Sequence, residues 1–134
     1  MSLVDSRSKP DPVLFTGREM DIMNVLWEMG SGTVAEVQKS LTDDLAYTSV
    51  LTILRILEKK GHVRHETEGR AHRYIPLVAR EEAREDAVKT VTRKLFAGSP
   101  MLLMAHLLGK KGLTECQLHR LRDLVDQHLE EEEE

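Results

Sequence analysis

Residues 47–59 carry the side chains best suited to chemistry on a polyanion. Tyr47, Thr48, Ser49 and Thr52 offer hydroxyls, and Arg55 and Lys59 offer cations. Duplex DNA asks for such a mixture: cations and N–H donors for phosphates, short or forked polar groups for base edges. In a helix, Val50, Ile53, Leu54 and Leu57 fall at i, i+3, i+4 and i+7 and form one buried stripe, which turns the hydroxyls and cations outward. The N-terminus of that helix also attracts a phosphate. A second cluster, Arg70, His72 and Arg73, follows in a stretch that reads as a hairpin. Strand alternation puts Arg70 and His72 on one face and Arg73 on the other, so not all three can meet one surface.

Charge is distributed to match. Residues 45–76 hold Arg55, Lys59, Lys60, Arg64, Arg70 and Arg73 against Glu58, Glu66 and Glu68, a net +3, within a chain whose formal charge is −4. The flanks, 1–44 and 77–134, are net −4 and −3. A phosphate-facing surface is therefore to be sought in the middle segment.

Other chemistries find little support. The single Cys116 excludes an internal disulfide framework and a multi-cysteine metal site. His62 and His65, three apart on a strand, point to opposite faces and cannot share a metal. His106, His119 and His128 lie on helices without clustered partners, so neither a metal nor a cofactor is expected. No nucleophile–base spacing, phosphate loop or paired-carboxylate cleft stands out, and the reading is not that of an enzyme. No run approaches the roughly 18 apolar residues that span a bilayer, and no signal peptide opens the chain. The expectation is a cytoplasmic protein without membrane insertion.

The elements that must position these residues are marked by their caps. Thr16-x-x-Glu19 and Thr33-x-x-Glu36 are capping boxes, the first opening a helix that Gly30 and Gly32 stop, the second a short helix. A third helix runs from about Ala46 to Lys60 and ends at Gly61. Two β-like runs, His62 to Glu66 and Ala71 to Ile75, are joined by a turn over 67–70 in which Gly69 can take a positive φ. Three helices followed by a hairpin form a winged helix-turn-helix, whose third helix is the one offered to the major groove. The fold class expected is mainly α with a small β-hairpin wing. Residues 1–13 read as a loose arm, 14–77 as the winged helix domain, 78–130 as a helical dimerisation domain and 131–134 as a frayed acidic tail.

Beyond Pro76, one helix carries Ala83, Ala87, Val91 and Leu95 in a stripe. Ser99-Pro100 opens another, in which Met101 to Leu108 is apolar almost all round. Thr114-x-x-Gln117 caps a last helix with Leu118, Leu121, Val125 and Leu129 in a heptad-like seam. Val91, Leu95, Met101, Leu102, Met104, Leu107, Leu108, Leu118, Leu121 and Val125 are the expected dimer contacts, because large exposed apolar patches mark interfaces. A two-fold dimer presents two recognition helices to a palindromic site in double-stranded DNA. The competing reading is a winged helix used for protein–protein assembly without DNA, which the acidic flanks favour.

Three stretches resemble the BlaI/MecI/CopY, or penicillinase repressor, family of bacterial regulators: Thr16 to Trp27 (T-G-R-E-M-D-I-M-N-V-L-W), Leu45 to Gly61 (L-A-Y-T-S-V-L-T-I-L-R-I-L-E-K-K-G) and Gly69 to Pro76 (G-R-A-H-R-Y-I-P). The resemblance covers about residues 14–129. It implies a homodimeric repressor of β-lactamase, resistance, copper or related genes. It also implies a membrane metalloprotease sensor as partner, which cuts some members at an Asn–Phe bond. The equivalent place here is His106-Leu107, a departure from that pair. Copper-responsive members carry a C-terminal Cys-x-Cys cluster, whereas this chain has only Cys116 and a glutamate tail, so thiolate metal sensing is not expected.

Overall fold

The structure, a computed structural model, describes residues 15–109 and 112–133. The arm expected at 1–13 lies outside them. Helix α1 (Gly17–Met29) opens as its capping box requires: Thr16 Oγ1 accepts from the Glu19 N–H at 3.2 Å, and Glu19 Oε1 accepts from the Thr16 N–H at 2.8 Å. Thr33 and Glu36 repeat the exchange at 3.2 and 3.1 Å to open α2 (Val34–Ser40). Each box satisfies two donors that a helix start otherwise leaves orphaned. Helix α3 spans Tyr47–Lys59, and Gly61, at φ 87°, turns the chain away from its end.

Strands β2 (Val63–Glu68) and β3 (Ala71–Pro76) pair antiparallel, with Glu68 opposite Ala71, so the loop is only Gly69-Arg70. The hairpin is thus tighter than the turn over 67–70 read from sequence. Gly69 takes φ 63° at the first loop position, where this kind of two-residue turn needs glycine. A third strand that the sequence reading lacks, β1 (Gly32–Thr33), pairs with β3 and makes the sheet order β1-β3-β2. A Cβ at Gly32 would lie 3.1 Å from Val37 Cγ2, so any larger residue there would crowd the Val37 side chain.

The aliphatic core gathers one face from each element: Ile22, Met23 and Leu26 of α1, Val34 and Val37 of α2, Val50, Leu54 and Leu57 of α3, and Val63 and Tyr74 of the sheet. Fully burying each aliphatic side chain contributes about 1.5–3 kcal/mol. Trp27 closes one edge: its indole N–H donates to Val78 O at 2.8 Å, and the Arg80 guanidinium sits 5.4 Å from its ring centre.

Helix α4 (Arg80–Leu95) belongs to both of two compact units, which part between Thr90 and Val91. The sequence reading divides the chain earlier, at 77/78. Val78 and Ala83 are buried in the core of the first unit, which carries its edge into α4. The second unit holds the end of α4, α5 (Pro100–Gly109) and α6 (Glu115–Glu133). Ser99 Oγ accepts from the Leu102 N–H at 3.1 Å, ahead of Pro100. Thr114 and Gln117 exchange bonds of 2.9 and 3.1 Å at the start of α6. The tail expected to fray from 131 is helical through Glu133, because glutamate is a good helix former; Glu134 is outside the described residues. No described helix is long and apolar enough to cross a membrane.

Candidate nucleic-acid interface

Val50, Leu54 and Leu57 fasten α3 to the core, and the helical period fixes what the opposite side shows. Thr48, Thr52, Arg55 and Lys59, at i, i+4, i+7 and i+11, form one exposed strip there, with Tyr47 and Ser49 exposed on either side of it. Thr52 Oγ1 donates to Thr48 O at 2.9 Å. With that proton committed, the oxygen is left as an acceptor, suited to the amino groups of adenine or cytosine in a major groove. Ala46 caps α3 without a side-chain hydrogen bond, unlike Thr16 and Thr33 at α1 and α2. First-turn N–H groups therefore remain for an outside acceptor.

The basic residues of the middle segment separate into two sets. Lys60 Nζ pairs with Glu19 Oε2 at 2.8 Å, Arg64 with Glu66 at 3.0 Å, and Arg73 with both Glu36 and Glu68. Arg55, Lys59 and Arg70 make no ion pair among the described residues. Arg70 stands in the hairpin turn itself, so strand alternation does not assign it a face. His72 shares a sheet face with the buried Tyr74, towards α3, while Arg73 lies on the opposite face and does not join the α3 strip.

A junction absent from the sequence reading ties the hairpin to α3. Glu58 Oε2 lies 2.6 Å from His65 Nδ1, and the His65 ring stacks on His72 at 4.3 Å, with ring planes 15° apart. Only the register Thr67↔His72 and His65↔Tyr74 brings these groups together, so no local signal could announce them. His62 goes elsewhere: it is buried edge-on against Phe15, 5.1 Å between ring centres. Burial and the nearby Lys60 charge hold its imidazole below the usual histidine range, against the opposing pull of Glu19.

The carboxylates behave as their partners dictate. Burial alone would push Glu19 up, but hydrogen bonds from Lys60 and the Thr16 backbone, with the Lys60 charge, hold it below the usual carboxylate range. The Thr33 N–H, then Arg73, lower Glu36 likewise. Glu68 and Glu36 together raise the Arg73 guanidinium. Burial raises the Tyr74 phenol.

In the second unit the apolar side chains of α5 and α6 stay uncovered in the single chain. Leu95 is 76% exposed and Met101 74%, and Leu102, Met104, Leu107, Leu108, Leu118 and Val125 are also exposed; Val91 and Leu121 are half-buried. An open groove of about 480 Å³ runs between the two helices, lined by Met104, Leu107, Leu108, Leu113, Leu121 and Leu124 with Gln117 and Arg120. His106 and Leu107 lie inside α5, where the His106 ring meets Phe96 edge-on at 5.7 Å.

Residues 15–127 match the penicillinase repressor family. The transcriptional regulator BlaI of Mycobacterium tuberculosis is 33% identical over 106 residues, covering 76% of this chain and 77% of that protein. The penicillinase repressor of Bacillus licheniformis is 24% identical over 112 residues, covering 82% and 88%. Among solved structures, the DNA-binding domain of the repressor BlaI is similar at 29% identity and a TM-score of 0.49, spanning 55% of this chain and 93% of that domain.

Proposed function

This chain belongs to the penicillinase repressor family, and we propose that it is a homodimeric, sequence-specific repressor whose α3 enters the major groove of a palindromic operator. Membership supports a regulatory role over a catalytic one, and the relatives named above are a transcriptional regulator and a repressor. One observation carries the reading: the exposed hydroxyl-and-cation strip Thr48, Thr52, Arg55 and Lys59 on the face of α3 opposite its core. Tyr47 and Ser49 extend that strip, and Arg70 and His72 of the hairpin add backbone contacts. Phosphate contacts set register while the hydroxyls read base edges.

Dimerisation through α5 and α6 accounts for their uncovered apolar faces, which are more extensive than isolated surface leucines. Two copies of α3 then address half-sites one or more turns of DNA apart. The regulated genes are of the β-lactamase, resistance or related type. Release by a membrane metalloprotease sensor would cut at His106-Leu107; that bond is helical, so α5 must open locally to be cut.

The test is binding of the full chain to the promoter of its own gene neighbourhood over graded salt. Operator binding tighter than random duplex by about 10³-fold or more, with a steep salt dependence, is the expected result. Equal affinity for operator and random DNA, or retention of a protein partner in place of DNA, would overturn it. Incubation with the sensor, followed by mass measurement, decides whether His106-Leu107 is cut.

A further inference from the structure

The geometry points to Arg73, with Glu36 and Glu68, as a clamp that fixes the wing against the helix-turn-helix, so that Arg73 is a positioning residue and not a DNA contact. The inference rests on the reading of the hairpin as a DNA-facing wing. Arg73 stands in the central strand, with Thr33 of β1 and Glu66 of β2 as its neighbours across the sheet. Its Nη1 and Nη2 donate to the two oxygens of Glu36 at 3.1 and 3.2 Å, a bidentate fork. Its Nε donates to Glu68 Oε2 at 3.0 Å, and Nη1 also reaches Ser31 Oγ at 3.3 Å. Every nitrogen of the guanidinium is engaged.

Those partners come from three places. Glu36 is the capping-box carboxylate of α2, and the same Oε1 accepts from the Thr33 N–H. Ser31 precedes β1. Glu68 ends β2, next to the Gly69-Arg70 loop. One planar group therefore links the start of α2 to the tip of the hairpin. Val63 and Tyr74 in the core, the Glu58–His65 contact and the pairing of β1 with Tyr74 and Arg73 hold the body of the hairpin, but none of them reaches Glu68 beside the loop. The bond from Arg73 to Glu68 brings support to that residue. A lysine could not replace the arginine, because an ammonium has no planar fork.

Charge supports the same assignment. Two carboxylates surround one guanidinium, so the cluster is net negative and repels phosphate. For Arg73 to hold DNA it would have to leave both partners.

The experiment compares wild type with Arg73→Lys, Glu68→Gln, Arg70→Ala and the Arg70→Ala/Arg73→Lys pair. It reads operator affinity by fluorescence anisotropy and amide hydrogen exchange at residues 67–71. Glu68→Gln removes a negative charge beside the DNA surface. If Arg73 were a phosphate contact or a bystander, that change would strengthen binding or leave it alone. The clamp predicts the opposite sign: Glu68→Gln and Arg73→Lys each weaken binding by about five-fold and speed exchange at the tip, with the α1–α3 core unchanged. In the Arg70→Ala background, Arg73→Lys weakens binding by less than about two-fold, since it acts chiefly through the placement of Arg70 at the tip. Tighter binding by Glu68→Gln, or wild-type exchange and affinity in Arg73→Lys, would overturn the clamp. A wild type that fails to prefer its operator would sink the repressor reading instead, and the exchange rates would still decide whether the tip is clamped.

Discussion

At the scale of single residues, this chain sorts its charges by commitment. Lys60, Arg64 and Arg73 are each occupied by carboxylates, and Arg55, Lys59 and Arg70 make no ion pair among the described residues. Two buried groups make stability depend on pH. His62 is held neutral by burial, so between its lowered folded value and the ordinary imidazole value of about 6.5 the unfolded chain binds the extra proton. Stability is therefore complete above about pH 6.5 and declines as pH falls below it. Glu19, lowered in the folded state, contributes stability that is present above its ordinary value of 4.5 and is lost as pH falls through its folded value. Thermal melts from pH 7.5 to 5.5 should show a falling Tm in wild type and a flatter profile in His62→Gln. An unchanged profile in that variant would refute the assignment to His62. Glu19→Ala removes a capping bond and the partner of Lys60, and should cost about 1–3 kcal/mol in urea denaturation at pH 7.

Secondary-structure elements were legible where their signals are local. The Thr16, Thr33 and Thr114 boxes, the Ser99-Pro100 start and the Val50–Leu57 stripe lie within a few residues of the elements they specify, and each has its structural counterpart. Strand β1 was not legible. Two residues carry no periodicity, and Gly32-Thr33 becomes a strand only because Tyr74 and Arg73 arrive beside it. The same holds within the candidate site: the α3 strip follows from helical spacing, but the Arg73–Glu36 pair spans 37 positions in sequence and the His65–His72 stack needs the strand register. The turn after α4 carries visible strain. Ala97, after α4, has φ 50°, a left-handed conformation that Cβ disfavours. Ala97→Gly should raise stability by about 0.5–1 kcal/mol despite glycine's greater freedom when unfolded. A lower midpoint in calorimetry would show that the turn does not hold that conformation. Leu54→Ala, at a fully buried site on the inner face of α3, should cost about 2–5 kcal/mol by urea titration.

For the whole molecule, a net charge of −4 does not oppose binding to DNA if the face that meets it is locally positive. Arg55, Lys59 and Arg70 set the expected count. On the proposed reading two copies together would neutralise about six phosphates, so the logarithm of operator affinity should fall with the logarithm of salt at a slope of about −5. A single copy should give about −3. Leu107→Asp with Leu118→Asp separates the two cases. Both leucines are about half exposed in the single chain, so a charge there costs the isolated fold little, while it would be desolvated at an interface between copies. The double variant should sediment at the mass of one chain, keep its circular dichroism, and bind operator with the shallower slope and far lower affinity, because the second half-site no longer binds as part of one particle. If it remains paired, the apolar faces of α5 and α6 are not what joins the copies. If it separates yet keeps the full slope, the phosphates are held by residues other than the three free cations.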